Sequence, residues 1–281
     1  MAKCAKSVTM TPIAIIDANH PAVLPFRDVK ERDLTGREGL FIAEGEVVLN
    51  VLLSPSSLCE PVAILIAEKR FESLRPLLER APAGTPVYTA SQDVLDQIAG
   101  FHLHRGILAV GRKPPLLGLE NVLDELSQGA DARMTVVVAS GIGNHDNMGG
   151  IFRNAAAFGA GAVLMDAACC DPFYRKAIRV SVGAVLRTPM WRGATASEIV
   201  DLLQAKGFEV LALTPAATTQ LAHYRPSLRT ALLLGSEGPG LPSSVIERCR
   251  PVGIQMAGGF DSLNVAVTSG IALHHVTTAE V

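Results

Sequence analysis

Aromatic residues make up only 5% of this 281-residue chain, with a single tryptophan, and charged residues only 19%. Few aromatics leave the core to aliphatic side chains. The low charge content excludes the polar composition that keeps a chain disordered. No net excess of positive charge is present either, the formal charge being −2, so contact with a polyanion must come from local Lys and Arg at the contact face. Cysteines are few and scattered: Cys4, Cys59, Cys169, Cys170 and Cys249, with no CxxC pair. Such a set reads as reduced cytosolic thiols and excludes a disulfide framework or a zinc site. No apolar run approaches the roughly 20 residues needed to span a bilayer, and the N-terminal MAKCAKSVTMTPIAIID lacks the apolar centre of a secretory signal. The expectation is a cytoplasmic protein that holds no metal.

Hydrophobic residues, by contrast, reach 48%, and glycines number 25, a balance suited to helices lying close on a sheet. The second half alternates short apolar runs with helical patterns, as βα units do. Strands are predicted at Thr135–Ala139, Ala162–Met165, Glu209–Leu213, Ala231–Leu234 and Pro251–Ile254, with helices at Met148–Phe158, Ala196–Lys206, Ser243–Arg248 and Leu263–Val276. Asp261 or Ser262 is the expected N-cap of the last helix, and Asn147 of the first. Continuous apolar strands of this kind belong to a parallel sheet covered on both faces. The first part reads as a smaller α/β unit, with strands at Phe41–Ala43, Val62–Ile66 and Ile107–Val110 and helices near Glu46–Leu53, Glu72–Arg80 and Gln92–Ile98. Pro114-Pro115 breaks regular structure before an amphipathic stretch, Leu119–Leu126. The expected division is residues 1–113 and 114–281.

Three segments of the second half carry chemistry. Asn147-Met148-Gly149-Gly150-Ile151-Phe152-Arg153-Asn154 follows a strand and opens a helix, its glycines allowing close backbone approach. Leu234-Gly235-Ser236-Glu237-Gly238-Pro239-Gly240-Leu241-Pro242 packs three glycines and two prolines into one loop after a buried strand. It is not a phosphate-binding P-loop, because no Gly-Lys-Ser/Thr follows, and no early dinucleotide fingerprint is present. Glu237 sits where a strand's carboxyl end delivers a side chain into a crevice. In Ser262-Leu263-Asn264-Val265, Asn264 is a polar residue in an apolar helix start, and it must find several partners. Taken singly, these segments also describe a capped helix, a strand-to-helix turn and a structural hydrogen-bond node.

Together, in this order, they resemble the SpoU/TrmH family of SPOUT methyltransferases, whose signatures are similar to N-x-G-x-I-x-R-x-A, G-S-E-G-x-G-L and S-L-N-V-x-V. Arg175–Pro189 (RKAIRVSVGAVLRTP) matches as well. The resemblance spans most of residues 133–276. It implies an α/β fold in which a parallel-sheet methyltransferase domain, tied in a C-terminal trefoil knot, follows a smaller α/β substrate-binding domain similar to a ribosomal protein fold. It also implies a homodimer and S-adenosyl-L-methionine (AdoMet) as methyl donor. Leu234, Gly235, Gly240, Ile254, Met256 and Leu263 would hold the donor. Arg153, Asn147, Glu237, Ser262 and Asn264 would form the catalytic set, acting on an RNA ribose 2′-hydroxyl. Because guanidinium does not deprotonate in proteins, Arg153 is expected to anchor the neighbouring phosphate and stabilise alkoxide charge, while phosphate or water takes the proton. Asn147 and Asn264 would orient Arg153 and substrate, and Glu237 would pair with Arg153 or hydrogen-bond the ribose.

The RNA surface is expected at Arg175, Lys176 and Arg179, with Arg187 and Arg192 nearby and Tyr174 and Trp191 available for stacking. A second basic stretch, Arg27, Lys30, Arg32 and Arg37, is interleaved with acids and reads as a solvated mixed-charge face. The N-terminal domain favours ribosomal over transfer RNA. Alternatives are a tRNA 2′-O-methyltransferase, methylation of a base nitrogen, and a non-catalytic RNA-binding protein of the same fold.

Overall fold

The computed structural model describes residues 11–27, 39–115, 117–127, 133–258, 260 and 262–279. The chain divides into two compact units, Met1–Lys113 and Pro114–Val281. Cys4, Lys30, Arg32, Arg37 and Asp261 lie outside the described residues.

In the first unit, β1 (Ile13–Ile15), β2 (Leu40–Glu44), β3 (Glu60–Ala67), β4 (Val87–Ala90) and β5 (Ile107–Arg112) form one sheet in the order β1-β4-β3-β5-β2. Strands β1, β4 and β3 run parallel, and β5 runs antiparallel to both β2 and β3. Helices α1 (Glu46–Leu52), α2 (Phe71–Leu78) and α3 (Gln92–Ala99) connect them. Leu65, Leu95, Ile98, Leu103 and Leu108 lie in one buried cluster. The structure adds β1 and β4 to the predicted strands; at three and four residues they are too short to show a period.

The second unit opens with α4 (Leu119–Ser127). It continues as β6 (Met134–Ala139), α5 (His145–Ala157), β7 (Ala162–Met165), α6 (Arg175–Val180), β8 (Met190–Arg192), α7 (Ala196–Ala205), β9 (Glu209–Leu213), β10 (Arg229–Leu234), α8 (Ser243–Ile246), β11 (Arg250–Val252) and α9 (Val265–Thr278). All six strands are parallel, in the order β11-β9-β10-β6-β7-β8. The apolar strands are buried as a doubly covered parallel sheet requires. Val136, Val138, Leu164, Val210 and Leu233 pack with Val122 and Leu123 of α4 and Ile199, Val200 and Leu203 of α7. Their neighbours Val137, Val163, Leu211 and Leu232, also fully buried, point to the other face by the two-residue period of a strand; α9 packs against β10.

The chain runs outward from β6 through β7 to β8, then resumes beyond β10 at β9. The order therefore reverses between β6 and β10, and open α/β sheets bind ligands outside the strand carboxyl ends at such a point.

The connection from β9 to β10 is tied to the chain that follows it. Thr214 N donates to Val252 O at 3.0 Å, Gly253 N to Thr219 O at 2.9 Å and Leu221 N to Gly253 O at 2.7 Å. His275 Nε2 of α9 lies 2.8 Å from Tyr224 O. Glu209 anchors the same loop, accepting from Tyr224 Oη at 2.7 Å, from Ser227 Oγ and from Arg250 Nη1 at 3.2 Å. Burial alone would push the Glu209 carboxyl up, but Ser227, Tyr224 and the Arg250 charge together hold it below its usual value. Burial and that carboxylate push the Tyr224 hydroxyl up to about 12, so it remains a donor.

Burial also pushes the thiols of Cys59 and Cys169 to about 12 and that of Cys170 to about 11, which leaves them protonated and inert near neutral pH.

A carboxyl with a lowered folded pKa contributes stability above its unfolded value and loses it as pH falls through the folded pKa. Wild-type stability is therefore expected to fall in the acid range, below the ordinary carboxyl value of 4.5. Glu209→Gln should cost about 1–3 kcal/mol at neutral pH, and the gap between the two proteins should close in acid. Urea denaturation at several pH values measures both.

Candidate active site

A cleft of about 510 Å³ opens at the carboxyl ends of β9, β10 and β11, within the size range of small-molecule sites. Three backbone stretches build it. Leu234 to Leu241 follow β10, Val252, Ile254 and Met256 carry on from β11, and Ser262 to Val265 lead into α9. Of the expected cofactor residues, Leu234, Gly235, Gly240, Ile254, Met256 and Leu263 all line it, as do Glu237, Ser262 and Asn264. Leu213, Thr214 and Pro215 complete the wall; they were missed in the sequence, although a strand carboxyl end beside the order reversal is where such residues belong.

The loop after β10 closes tightly on itself. A Cβ on Gly235 would meet Leu241 N at 2.6 Å and the Gly240 carbonyl carbon at 2.7 Å, so only glycine fits without moving backbone. Strand β11 ends at Val252, two residues before the predicted end, because Gly253 turns to the β9–β10 connection and Ile254 goes to the cleft wall.

At the rim, one polar triangle joins three elements. Asn147 Nδ2 donates to Glu237 Oε1 at 2.6 Å, Asn264 Nδ2 donates to Asn147 Oδ1 at 2.8 Å and also reaches Glu237 Oε1 at 3.3 Å. A carboxylate only accepts, so it fixes which end of each amide faces it. Asn264 uses its other end as a helix cap, Oδ1 accepting from Ala266 N at 2.9 Å and Val267 N at 3.2 Å. The cap of α9 is thus Asn264, neither Asp261 nor Ser262, since Asn264 alone sits one residue before the first helical turn. The cap of α5 is Asn144, whose Oδ1 accepts from Asp146 N at 2.7 Å. Asn147 lies buried inside the first turn, and its amide is spent on Glu237 and Asn264.

Helices α5 and α9 cross closely below the triangle. Asn154 Nδ2 donates to Ala266 O at 2.6 Å and Ser269 Oγ at 2.9 Å. A Cβ on Gly150 would come within 2.6 Å of the Ala266 Cβ.

Arg153 is placed elsewhere. It is exposed on α5 nearly two turns beyond Asn147, does not line the cleft, and makes no hydrogen bond or ion pair among the described residues. Of the two roles expected for Glu237, pairing with Arg153 or bonding the ribose, the first is not formed; Glu237 takes the two asparagines. Arg175, Lys176 and Arg179 lie on α6, beside α5. Lys176 Nζ is paired with Asp146 Oδ2 at 2.6 Å, and Arg179 is exposed. Trp191 is half-buried against the core, whereas Tyr174 is exposed. Among the described residues, no group of His, Cys, Asp and Glu is arranged to hold a metal, and no helix is long and apolar enough to cross a membrane.

The model of the SpoU rRNA Methylase family matches residues 134–274, the span that contains the triangle and the cleft. This chain belongs to that family. It is an RNA methyltransferase. An uncharacterised tRNA/rRNA methyltransferase of Mycobacterium bovis is 37% identical to it, over 94% of this chain and 91% of that protein. The 23S rRNA (guanosine-2′-O-)-methyltransferase RlmB of Photobacterium profundum is 29% identical over 76% of this chain and 89% of its own length. The crystal structure of an AdoMet-bound rRNA methyltransferase from Sinorhizobium meliloti shares the fold, with a TM-score of 0.76 at 22% identity, covering 93% of this chain and 96% of that one.

Because Gly150 sets the α5–α9 distance, Gly150→Ala should push Ala266 away and open the Asn147–Asn264 pair. Overpacking of this kind costs about 1–3 kcal/mol, expected as a lowered denaturation midpoint with an unchanged slope.

Proposed function

We propose that this SpoU-family chain transfers a methyl group from AdoMet to a ribose 2′-hydroxyl of RNA, ribosomal RNA in particular. The observation that carries the reading is the Glu237 carboxylate, held by two asparagine amides at the lip of an apolar cleft. Leu234, Ile254, Met256 and Leu263 supply apolar walls suited to an adenosine, and the close-packed Gly235 loop lets backbone groups reach its edge. AdoMet bound there supplies an electrophilic methyl group on a sulfonium. The activity of the Photobacterium relative, guanosine 2′-O-methylation of 23S rRNA, supports both the sugar and the ribosomal target.

The protein's task is to position the hydroxyl in line and draw off its proton. Glu237 Oε1 is occupied by the asparagines, which leaves Oε2 to accept a hydrogen bond from the ribose. Asn147 and Asn264 orient that carboxylate, and Ser262 supports the third loop. Arg153, exposed on α5 outside the cleft and without a protein counterion among the described residues, is assigned to the phosphate flanking the ribose; a guanidinium stays protonated and is not the base. The proton passes to water or to the phosphate. Arg175, Lys176 and Arg179 extend the phosphate-binding surface from α6.

The same reading takes the unit of residues 1–113 as the accessory RNA-binding domain and that of 114–281 as the methyltransferase domain, working as a cytoplasmic homodimer. The chain's C-terminal part forms a trefoil knot, a reading supported by the passage of Gly253 against the β9–β10 connection. The outer face of α9, where Val267 and Ile271 are 51% and 42% exposed, supports the dimer.

Mapping 2′-O-methyl positions in total RNA from cells with and without the protein tests the reading: one ribosomal position should disappear, and loss of a base methylation in its place overturns it. Two variants should separate the roles. Arg153→Ala is expected to lower methyl transfer roughly 100-fold, as misplacement of a reacting group does, with AdoMet affinity unchanged by calorimetry. Gly235→Ala should abolish AdoMet binding itself.

A further inference from the structure

Beside the triangle, the first turns of α5 and α6 lie together and are cross-linked twice. The His145 and Tyr174 rings stack with centroids 4.2 Å apart and planes tilted by 33°. One step away, Lys176 pairs with Asp146. Gly149 carries the contact inward, its Cα so close to α6 that a Cβ would lie 2.6 Å from Ala177 O. Tyr174 is 36% exposed, its hydroxyl makes no hydrogen bond among the described residues, and it gives α6 no side-chain cap.

A large aromatic packed against a second ring and partly open to solvent has the form of a stacking surface for a base. Its surroundings fit RNA. His145 and Asn147 both belong to the first turn of α5, His145 on the side that packs on α6 and Asn147 on the side bonded to Glu237, so an RNA strand that reaches the acceptor site has the ring pair on the adjoining face of the same helical turn. Arg179 and Arg153 are exposed with no ion pair among the described residues, leaving both cations for phosphates, while Asp146 is already neutralised by Lys176.

We infer that the His145–Tyr174 ring pair is a stacking platform for an unpaired RNA base flanking the ribose that receives the methyl group. This rests on the RNA 2′-O reading for the identity of the neighbouring site, but the platform is testable by binding alone. Base stacking on such a ring is sequence-tolerant and is worth about 1–3 kcal/mol by alanine substitution, a factor of about 5–150 in affinity.

The probe is a short single-stranded oligouridylate carrying one 2-aminopurine, whose fluorescence is quenched when it stacks. Full-length wild-type protein should quench it. Tyr174→Ala should lose the quenching and bind about 5–150-fold more weakly, with the same dependence of affinity on salt. Tyr174→Phe should match the wild type, because the ring and not the hydroxyl acts. Arg179→Ala should keep the quenching and lower the salt slope by about one, the signature of a phosphate contact. Equal quenching and affinity in Tyr174→Ala and wild type overturns the platform. If Tyr174→Ala melts early, Tyr174→Leu, which keeps apolar bulk without a π face, decides by the same two readouts. A wild-type protein that quenches the probe yet methylates no RNA would sink the functional reading and leave the platform standing. One that methylates RNA at the same KM with and without Tyr174 would do the reverse.

Discussion

The arrangement of the second unit depends on one set of hydrogen bonds, those by which Asn147, Glu237 and Asn264 hold one another. Each belongs to a different part of the chain, and each is useful only because the other two are in place. Glu237 sits on a loop whose shape is set by Gly235 and has no regular structure to orient its side chain. Without the two amides, a carboxylate at that exposed position would sample many rotamers, at an entropic cost when a substrate fixes it. With them it is presented in one direction over the cleft. Asn264 couples this to secondary structure, because the residue that orients the carboxylate also caps α9. The start of the helix and the geometry of the site are a single condition.

Close helix approach makes that condition possible. Gly150 lets α9 come near enough to α5 for Asn154 to reach Ala266 O and Ser269. Side chains that would read as polar defects in buried helices thus satisfy one another, as buried polar groups must. The C-terminal end of α9 is fastened independently, through His275 and Tyr224 to the loop anchored on Glu209. A helix fixed at both ends has little freedom to drift from the cleft it borders.

Much of this was legible in the amino-acid order, for reasons that can be named. The apolar runs of β6, β7, β9 and β10 are strand-length and bounded by polar residues, and they fell where the runs placed them. The glycine loop and the Ser262–Val265 turn declared themselves by composition, and both line the cleft. Other features were invisible locally. β8 and α6 are three and six residues long, below the reach of any periodicity. Asn144 and Asn147 are equally good caps by residue type; only Glu237, distant in sequence, decides between them. Arg153 lies nearly two turns beyond Asn147 on an exposed part of α5, so of the two roles open to Glu237 the pairing with Arg153 is not formed, a matter of tertiary placement that residue type does not carry. Trp191 and Tyr174 look alike as aromatic candidates in sequence, and packing alone separates the half-buried one from the exposed one.

The bond between Asn147 and Asn264 spans 117 residues, and the cleft wall draws on four stretches that the chain visits in turn. Contacts of such separation make folding slow, because the entropy of closing large loops precedes the reward. On the ribosome, where segments emerge from the N-terminal side at about 5–20 residues per second, β6 and α5 wait several seconds for α9. Until it arrives, the family's signature residues are present but unassembled. A nascent or C-terminally truncated chain therefore exposes the apolar flank of α5 without any catalytic competence, and quality control by chaperones has a defined surface to recognise.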